Sequence, residues 1–317
     1  MIKYNFQIDK KLNFAYWVQS VIEWNWYFNK KEYDYFNGIA GNFNPAEEKI
    51  LSSLKLILQK PENAYKWIWD RYSEKSISDK KEFDIWEKSK NILNDKFELI
   101  WQKELPKILE WKEKLEGYQV NDLEKFFKEI QNFFGVNLKE EITIQLCLGY
   151  RNDLPGAHVK KGFKNLIILN ISNLDKKIVK EVIDTLIHET SHLIEYESNK
   201  NQLLKDSYER IIKPKNFLQD NPSWYHLITE SVITSIAGTN FSYVASEIFP
   251  NQAITNEENL KKFDYQSNKT SYSYQIKSVA YHFRELTKEY LNSNKKMDKF
   301  FADTVVKTWL DFRKRKV

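Results

Sequence analysis

Apolar residues recur at helical spacing along most of this chain, and Lys and Glu fill many of the positions between them. The first 135 residues contain six such segments, with prolines where three of them begin and glycines where two of them end. These segments are residues 10–30, 45–59, 61–71, 79–105, 106–116 and 121–134. The pattern therefore predicts a helical N-terminal region, which we place at residues 1–136.

The pattern changes in the middle of the chain, where two short segments have the character of strands. Residues 141–148 alternate apolar and polar side chains, and residues 165–171 form a short, mostly apolar run. Three further helical segments follow, at residues 178–198, 222–238 and 274–291. The predicted fold class is α+β and predominantly helical, with a small sheet in a second region, residues 137–317.

The segment with the clearest chemistry is His188-Glu189-Thr190-Ser191-His192, which has the spacing H-E-x-x-H. On a helix, residues four positions apart point the same way, so the two imidazoles converge on one point. That geometry binds Zn²⁺, and the glutamate between the histidines lies where it can take a proton from bound water. Because only five histidines occur in 317 residues, a chance match to this spacing is rare. We therefore predict one Zn²⁺ per chain, with His188 and His192 as ligands.

A catalytic zinc site usually has three protein ligands and one water. The extended motif with a third histidine fails here, because Glu195 and Ser198 occupy the positions of its glycine and its last histidine. Glu230 is the better candidate, since it lies among the apolar residues of the 222–238 segment, where a buried carboxylate needs a partner. His226, one turn earlier on the same face, is the rival ligand, and a solvated or salt-bridged Glu230 is the alternative.

A helical H-E-x-x-H followed by a helical glutamate resembles the gluzincin branch of the zinc metallopeptidases, over roughly residues 140–290. The resemblance implies a zincin-like fold for the second region and peptidase activity with Glu189 as general base. It also implies a strand that pairs with the substrate, for which residues 165–171 are the candidate and an ordinary core strand is the alternative. We interpret residues 1–136 as a helical wall or lid, which favours peptides or unfolded polypeptide as substrate.

Two further expectations follow from the resemblance. The family commonly has an acidic residue four positions after the ligand glutamate, where it orients a histidine, but this chain has Thr234 there. Asp184, one turn before His188, is the alternative partner for a histidine ligand. The family also has a downstream Tyr or His that stabilises the oxyanion of the tetrahedral intermediate. Tyr281 or His282 can serve here, and a packed aromatic residue is the alternative.

Two other classes of function stay open on sequence alone. The departure at residue 234 and the unassigned oxyanion donor allow a zinc-containing binding or regulatory protein that is proteolytically silent on the same fold. A helical interaction scaffold without metal is the third class, and it requires the motif to be a coincidence.

Composition narrows the class of protein further. Hydrophobic residues make up 42% of the chain, but no run approaches the length of about 18 apolar residues that spans a membrane, so we expect no membrane insertion. The 49 basic and 44 acidic residues are intermixed, which is typical of solvated helix faces and predicts no nucleic-acid partner, even for the basic residues 313–316. Cys147 is the single cysteine and no apolar signal core begins the sequence, so we expect a cytoplasmic protein.

Tryptophan is abundant in the predicted helical region, at positions 17, 24, 26, 67, 69, 86, 101 and 111. Core packing is the interpretation we favour, and a platform that stacks sugars or bases is the alternative. No heptad pattern indicates a coiled-coil partner, so the oligomeric state stays open.

Overall fold

A computed structural model of the chain describes residues 2–22, 30–58, 80–117, 123–138, 141–149, 156–159, 165–174, 179–212, 223–237 and 272–314. Within these residues the chain forms ten helices and four strands, which confirms the predicted α+β, predominantly helical fold. The helices are α1 Lys10–Val21, α2 Lys30–Ala40, α3 Pro45–Leu58, α4 Lys80–Glu116, α5 Leu123–Phe134, α6 Val179–Tyr196, α7 Lys200–Ile211, α8 Ser223–Ala237, α9 Tyr272–Asn292 and α10 Lys299–Lys314. The strands are β1 Lys3–Gln7, β2 Glu141–Cys147, β3 Gly156–His158 and β4 Leu166–Asn170.

The four strands form one mixed sheet in the order β1-β2-β4-β3. β1, β2 and β4 are parallel, and β3 runs antiparallel to β4 at the edge. Successive residues of β2 and β4 are buried, so both faces at the centre of the sheet are covered. α4 packs against β1 and β2, and α6 packs against β3 and β4.

β1 shows that the two predicted regions share one sheet. Residues 3–7, predicted as part of the helical region, instead pair with residues 141–145 of β2. The sequence of a five-residue strand does not indicate which strand it pairs with, and here the pairing strand lies 138 residues away along the chain. The boundary at residue 136 stays a prediction, but a strand from before it belongs to the sheet after it, and one apolar core includes residues from β1 through α10.

Most predicted helices are present, and the clearest error concerns Pro106. Helix α4 continues through Pro106 over 37 residues, so the predicted break there is wrong. A proline inside a helix costs about 3 kcal/mol, because it removes one backbone hydrogen bond and crowds the preceding turn. The cost is offset by packing, since Trp101, Ile108 and Trp111 on the two sides of the proline all lie in the core. The predicted helix at residues 61–71 lies outside the described residues.

The described tryptophans of the helical region are core residues, as predicted. Trp17 and Trp111 are fully buried, and Trp86 and Trp101 are nearly so. Phe14 contacts Trp17 and Trp86 with ring centroids 5.8 Å and 5.2 Å apart, which is the spacing of packed aromatic pairs. Trp24, Trp26, Trp67 and Trp69 lie outside the described residues. Among the helices described, α4 included, none combines the length and the apolar character that a membrane span needs.

A buried polar cluster joins the helical region to the end of the sheet. The Glu104 side chain on α4 is fully buried, and its Oε1 accepts hydrogen bonds from the Tyr35 hydroxyl at 2.5 Å and from Lys107 Nζ at 2.7 Å. Its Oε2 accepts a hydrogen bond from Asn173 Nδ2 at 2.6 Å, just after β4. Each of these side chains forms a hydrogen bond with another member of the cluster. The cluster therefore fixes α4 against the turn that leads from β4 towards α6.

A second polar contact joins β1 to helix α6. The Tyr4 hydroxyl of β1 and Thr190 Oγ1 of α6 lie 2.8 Å apart in a hydrogen bond. Thr190 is fully buried and lies inside the His188–His192 segment. The strand at one edge of the sheet is therefore bonded directly to the turn of helix that carries both histidines.

We expect the Tyr4–Thr190 hydrogen bond to stabilise the fold by about 1 kcal/mol, the usual net value for a hydrogen bond. The test is a double-mutant cycle with Tyr4→Phe, Thr190→Val and the double variant, measured by urea unfolding of the metal-free protein. Single replacements should each lower the free energy of unfolding, and the double variant should lose less than their sum. Strictly additive losses would show that the two hydroxyls do not stabilise each other.

Candidate metal centre

Two packed helices supply the predicted zinc ligands. His188 and His192 lie one turn apart on α6, and Glu230 lies on α8, which packs against α6. Buried Leu227 and Ile233 hold α8 in the core, so that Glu230 faces the two histidines. The structure therefore brings together all three residues predicted as ligands.

The distances between the donor atoms suit a tetrahedral metal ion. His188 Nε2 and His192 Nε2 are 3.2 Å apart. Glu230 Oε1 lies 3.2 Å from His192 Nε2, and Glu230 Oε2 lies 3.6 Å from His188 Nε2. A zinc ion about 2.0–2.1 Å from each donor of a tetrahedral site separates neighbouring donors by about 3.3 Å. The three side chains thus fit Zn²⁺ without rearrangement of the helices.

Exposure increases from one side of the cluster to the other. The His192 side chain is 5% exposed, those of His188 and Glu230 are each 18% exposed, and that of His226 is 59% exposed. His226 Nε2 lies 3.8 Å from Glu230 Oε1, one helical turn before it on α8. Among these four side chains, the cluster is therefore most buried at His192 and most exposed at His226.

The orientation of His188 is determined by a backbone carbonyl. Its Nδ1 lies 2.9 Å from the carbonyl oxygen of Ala237, at the end of α8, and donates a hydrogen bond to it. This bond leaves the Nε2 lone pair free to face the other donors. The Ala237 carbonyl therefore accepts the His188 Nδ1 proton for which Asp184 was a candidate acceptor. Burial raises the pKa of Asp184 to about 7, against a weaker opposing effect of His188.

Beside the outer nitrogen of His192, Nδ1, lies Glu195, which the sequence pattern singled out only as a departure from the extended motif. Glu195 Oε2 lies 3.6 Å from His192 Nδ1, slightly too long for a full hydrogen bond. The two residues are three positions apart on α6, a spacing that places side chains on one face. This helical spacing is the signal by which the sequence could have revealed the contact.

Charge interactions within the cluster determine how its groups ionise. Burial alone would lower the pKa of His192, but the Glu230 charge and the contacts with Glu195 and Glu230 outweigh burial and hold that pKa well above its usual range. Burial raises the pKa of Glu230, but the charge of His192 and the contacts with both histidines hold it well below its usual range. Both directions favour an ion pair in which a protonated His192 faces an ionised Glu230.

Glu189 has the electrostatic setting of a base. Burial raises the pKa of its carboxyl, and the Glu230 charge adds to this rise, while His188 and His192 oppose it. A carboxylate with a raised pKa holds a proton more readily than an exposed one, which suits a group that accepts a proton and then returns it.

Tyr281 and His282 lie on α9, which packs against α8. Their rings are 5.4 Å apart, and the Arg284 guanidinium lies 4.0 Å from the centre of the Tyr281 ring. Neither contact connects them to the three ligand residues. Their role at an oxyanion stays a prediction.

The predicted substrate-side strand needs correction. β4 pairs with β2 on one side and with β3 on the other, so its backbone groups are already bonded and no peptide can add to it. β4 is the ordinary core strand that was the alternative. Within the part of the chain that the structure describes, β3, which also contacts α6, forms that edge of the sheet.

Comparison of the chain with protein-family models, with curated proteins and with solved structures found no match. The resemblance to gluzincins therefore depends on the five positions of the H-E-x-x-H segment and on Glu230.

We expect zinc binding to release about one proton per ion near pH 7, because the protonated His192 must lose a proton to become a ligand. Affinity should therefore rise with pH, by about tenfold per unit while the pH stays below the pKa of His192. Calorimetric titrations of the metal-free protein, in two buffers with different ionisation enthalpies, measure the number of protons released.

The control for this titration is His226→Ala, which removes an exposed imidazole and leaves His192 in place. Its proton release should equal that of the wild type. A zinc affinity that does not change between about pH 6 and pH 8 would contradict the ion pair.

Proposed function

We propose that this protein is a zinc-dependent metallohydrolase that cleaves peptide bonds, a peptidase of the gluzincin type. The observation that supports the proposal is the triangle of donors formed by His188, His192 and Glu230, with 3.2–3.6 Å between atoms of neighbouring residues. These three protein ligands leave the fourth position of a tetrahedral ion open, which is the ligand count of catalytic rather than structural zinc.

In this proposal each residue of the cluster has one task. Zn²⁺ held there supplies a Lewis acid that activates water and polarises the scissile carbonyl. Glu189 accepts the proton of the attacking water and passes it to the leaving amine. Ala237, through its carbonyl, keeps His188 oriented throughout.

The developing negative charge on the substrate needs a hydrogen-bond donor. Tyr281 or His282 is the donor expected from the resemblance to gluzincins. His226 is a further candidate, because it is exposed and adjoins Glu230. The three side chains can be replaced individually, and a lower kcat with zinc retained identifies the donor.

Peptides or unfolded polypeptide are the substrates we propose. An extended chain can add to a free sheet edge, and among the described strands β3 is an edge strand that contacts α6, the helix that carries both histidines. Residues 1–136 serve as the wall or lid of this site in the proposal. The single cysteine, Cys147, is buried and free, which suits the reducing cytoplasm that we propose as the location.

The second candidate function is a zinc-containing binding or regulatory protein without proteolytic activity. The specific observation in its favour is Thr234, which occupies the position where gluzincins commonly have an acidic residue. A cleavage screen separates the two functions, because only the peptidase produces new peptide ends.

Replacing Glu189 by Gln should retain about one zinc per chain and lower peptide cleavage by about 100- to 10,000-fold, because the variant loses only the general base. The measurement is cleavage of a mixed peptide library, followed by mass spectrometry, with zinc content determined in parallel. The matched control is Glu181→Gln, a partly exposed glutamate at the start of the same helix, which should keep full activity. Undiminished cleavage by Glu189→Gln would rule out Glu189 as the base.

Replacing His188 or Glu230 by Ala should abolish stoichiometric zinc, because each removes one of three ligands. His226→Ala should keep the metal, since its side chain is mostly exposed. Elemental mass spectrometry of the purified variants measures this directly. Zinc that survives in Glu230→Ala but not in His226→Ala would reverse the assignment of the third ligand.

A further inference from the structure

Glu195 is a buried carboxylate on the helix that carries both histidines. Its side chain is 1% exposed, and neither of its oxygens has a hydrogen-bond partner among the described residues. Burying a charged group without a partner destabilises a fold, so such groups are usually paired or close to a cation. Its presence inside α6 therefore calls for a functional explanation.

The nearest counterpart of Glu195 is the outer nitrogen of a ligand histidine. His192 Nδ1 is also buried without a hydrogen-bond partner among the described residues, and it lies 3.6 Å from Glu195 Oε2. On its other side, His192 Nε2 faces Glu230 and His188. Among the described residues, Tyr196 also lies beside His192, with 6.0 Å between the ring centres. The two unsatisfied groups thus face each other on one turn of helix.

We infer that Glu195 is a positioning residue of the metal centre, which accepts the Nδ1 proton of His192 and so directs Nε2 towards the ion. The inference rests on the zinc site of the proposed function and adds a fourth residue that contacts no metal itself. Glu195 acts through His192, because a carboxylate bonded to the outer nitrogen fixes the tautomer and the ring orientation of a ligand imidazole.

The charge of Glu195 is as important as its hydrogen bond. His188 donates its outer proton to the neutral carbonyl of Ala237, whereas His192 faces an anion. An anionic partner raises the electron density of the imidazole more than a carbonyl does, so His192 becomes the stronger of the two histidine ligands. In the more buried part of the site, that charge also offsets part of the positive charge of the ion.

The experiment compares the wild type, Glu195→Gln and Glu195→Leu. Gln keeps an acceptor oxygen and removes the charge, and Leu removes both. Zinc affinity is measured by competition with a chromophoric chelator at one fixed pH, and we expect a loss of about 10- to 100-fold for Gln and a larger loss for Leu. The matched control is Glu197→Gln, an exposed glutamate two residues later, which should bind zinc as the wild type does.

A merely structural role for Glu195 would have a different signature. Urea unfolding of the metal-free variants measures the free energy of unfolding independently of metal binding. The absorption spectrum of bound Co²⁺ reports the geometry of the ligands. We expect a changed Co²⁺ spectrum in Glu195→Gln, while Glu197→Gln keeps the spectrum of the wild type. Should Glu195→Gln not fold, Glu195→Asp, which keeps the charge but shortens the reach, is compared in its place and should also bind zinc more weakly.

The outcomes separate this inference from the function on which it rests. If the wild type binds zinc and the variants bind it equally well with an unchanged Co²⁺ spectrum, Glu195 has no positioning role and the metal centre stands without it. If the wild type binds neither Zn²⁺ nor Co²⁺, the metal centre itself is wrong and the role of Glu195 falls with it.

Discussion

One constraint underlies the rest of this structure: several ionisable side chains lie close together in the protein interior, away from water. Glu189, Glu195 and Glu230 lie around His188 and His192, and most of these side chains are shielded from solvent. Ionised carboxylates this close to one another repel each other strongly at low dielectric constant. A divalent cation would offset this repulsion, and the spacing of the donor atoms already suits one. Most of the architecture around the cluster holds these groups in place.

Rigid supports on both sides of helix α6 provide that restraint. The hydroxyl of Tyr4 binds Thr190 between the two histidines, and the carbonyl at the end of α8 holds His188. The Glu104 cluster fixes the turn after β4, from which the chain leads to α6. Ligand side chains borne on packed helices rather than on loops vary little in position, and this precision is what a metal site needs.

Much of the centre could be predicted from sequence because its information is local. The spacing of His188 and His192 along one helix determines their convergence, and an apolar segment around Glu230 indicates a buried carboxylate. The strands β1 and β3 are too short to have a periodic signal, and their pairing depends on distant residues. Helix α4 passes through Pro106 because packing outweighs the local preference to break. Against the extended zinc motif, Glu195 is a mismatch, because it occupies the position of a glycine. Its position three residues after His192 on the helix nevertheless identifies it as a neighbour of that histidine.

The parallel pairing of β1 with β2 has a consequence for synthesis on the ribosome. Residues 3–7 are made well before their partners at residues 141–145, which follow more than a hundred residues later. Until β2 is made, β1 has no strand to pair with, and until α6 is made, Tyr4 has no Thr190 to bind. The nascent chain therefore cannot assemble the metal cluster while its first helices are being translated. In the order of translation, the cluster can form only after Glu230 on α8 has been made, by which time the strand bonded to α6 is already present.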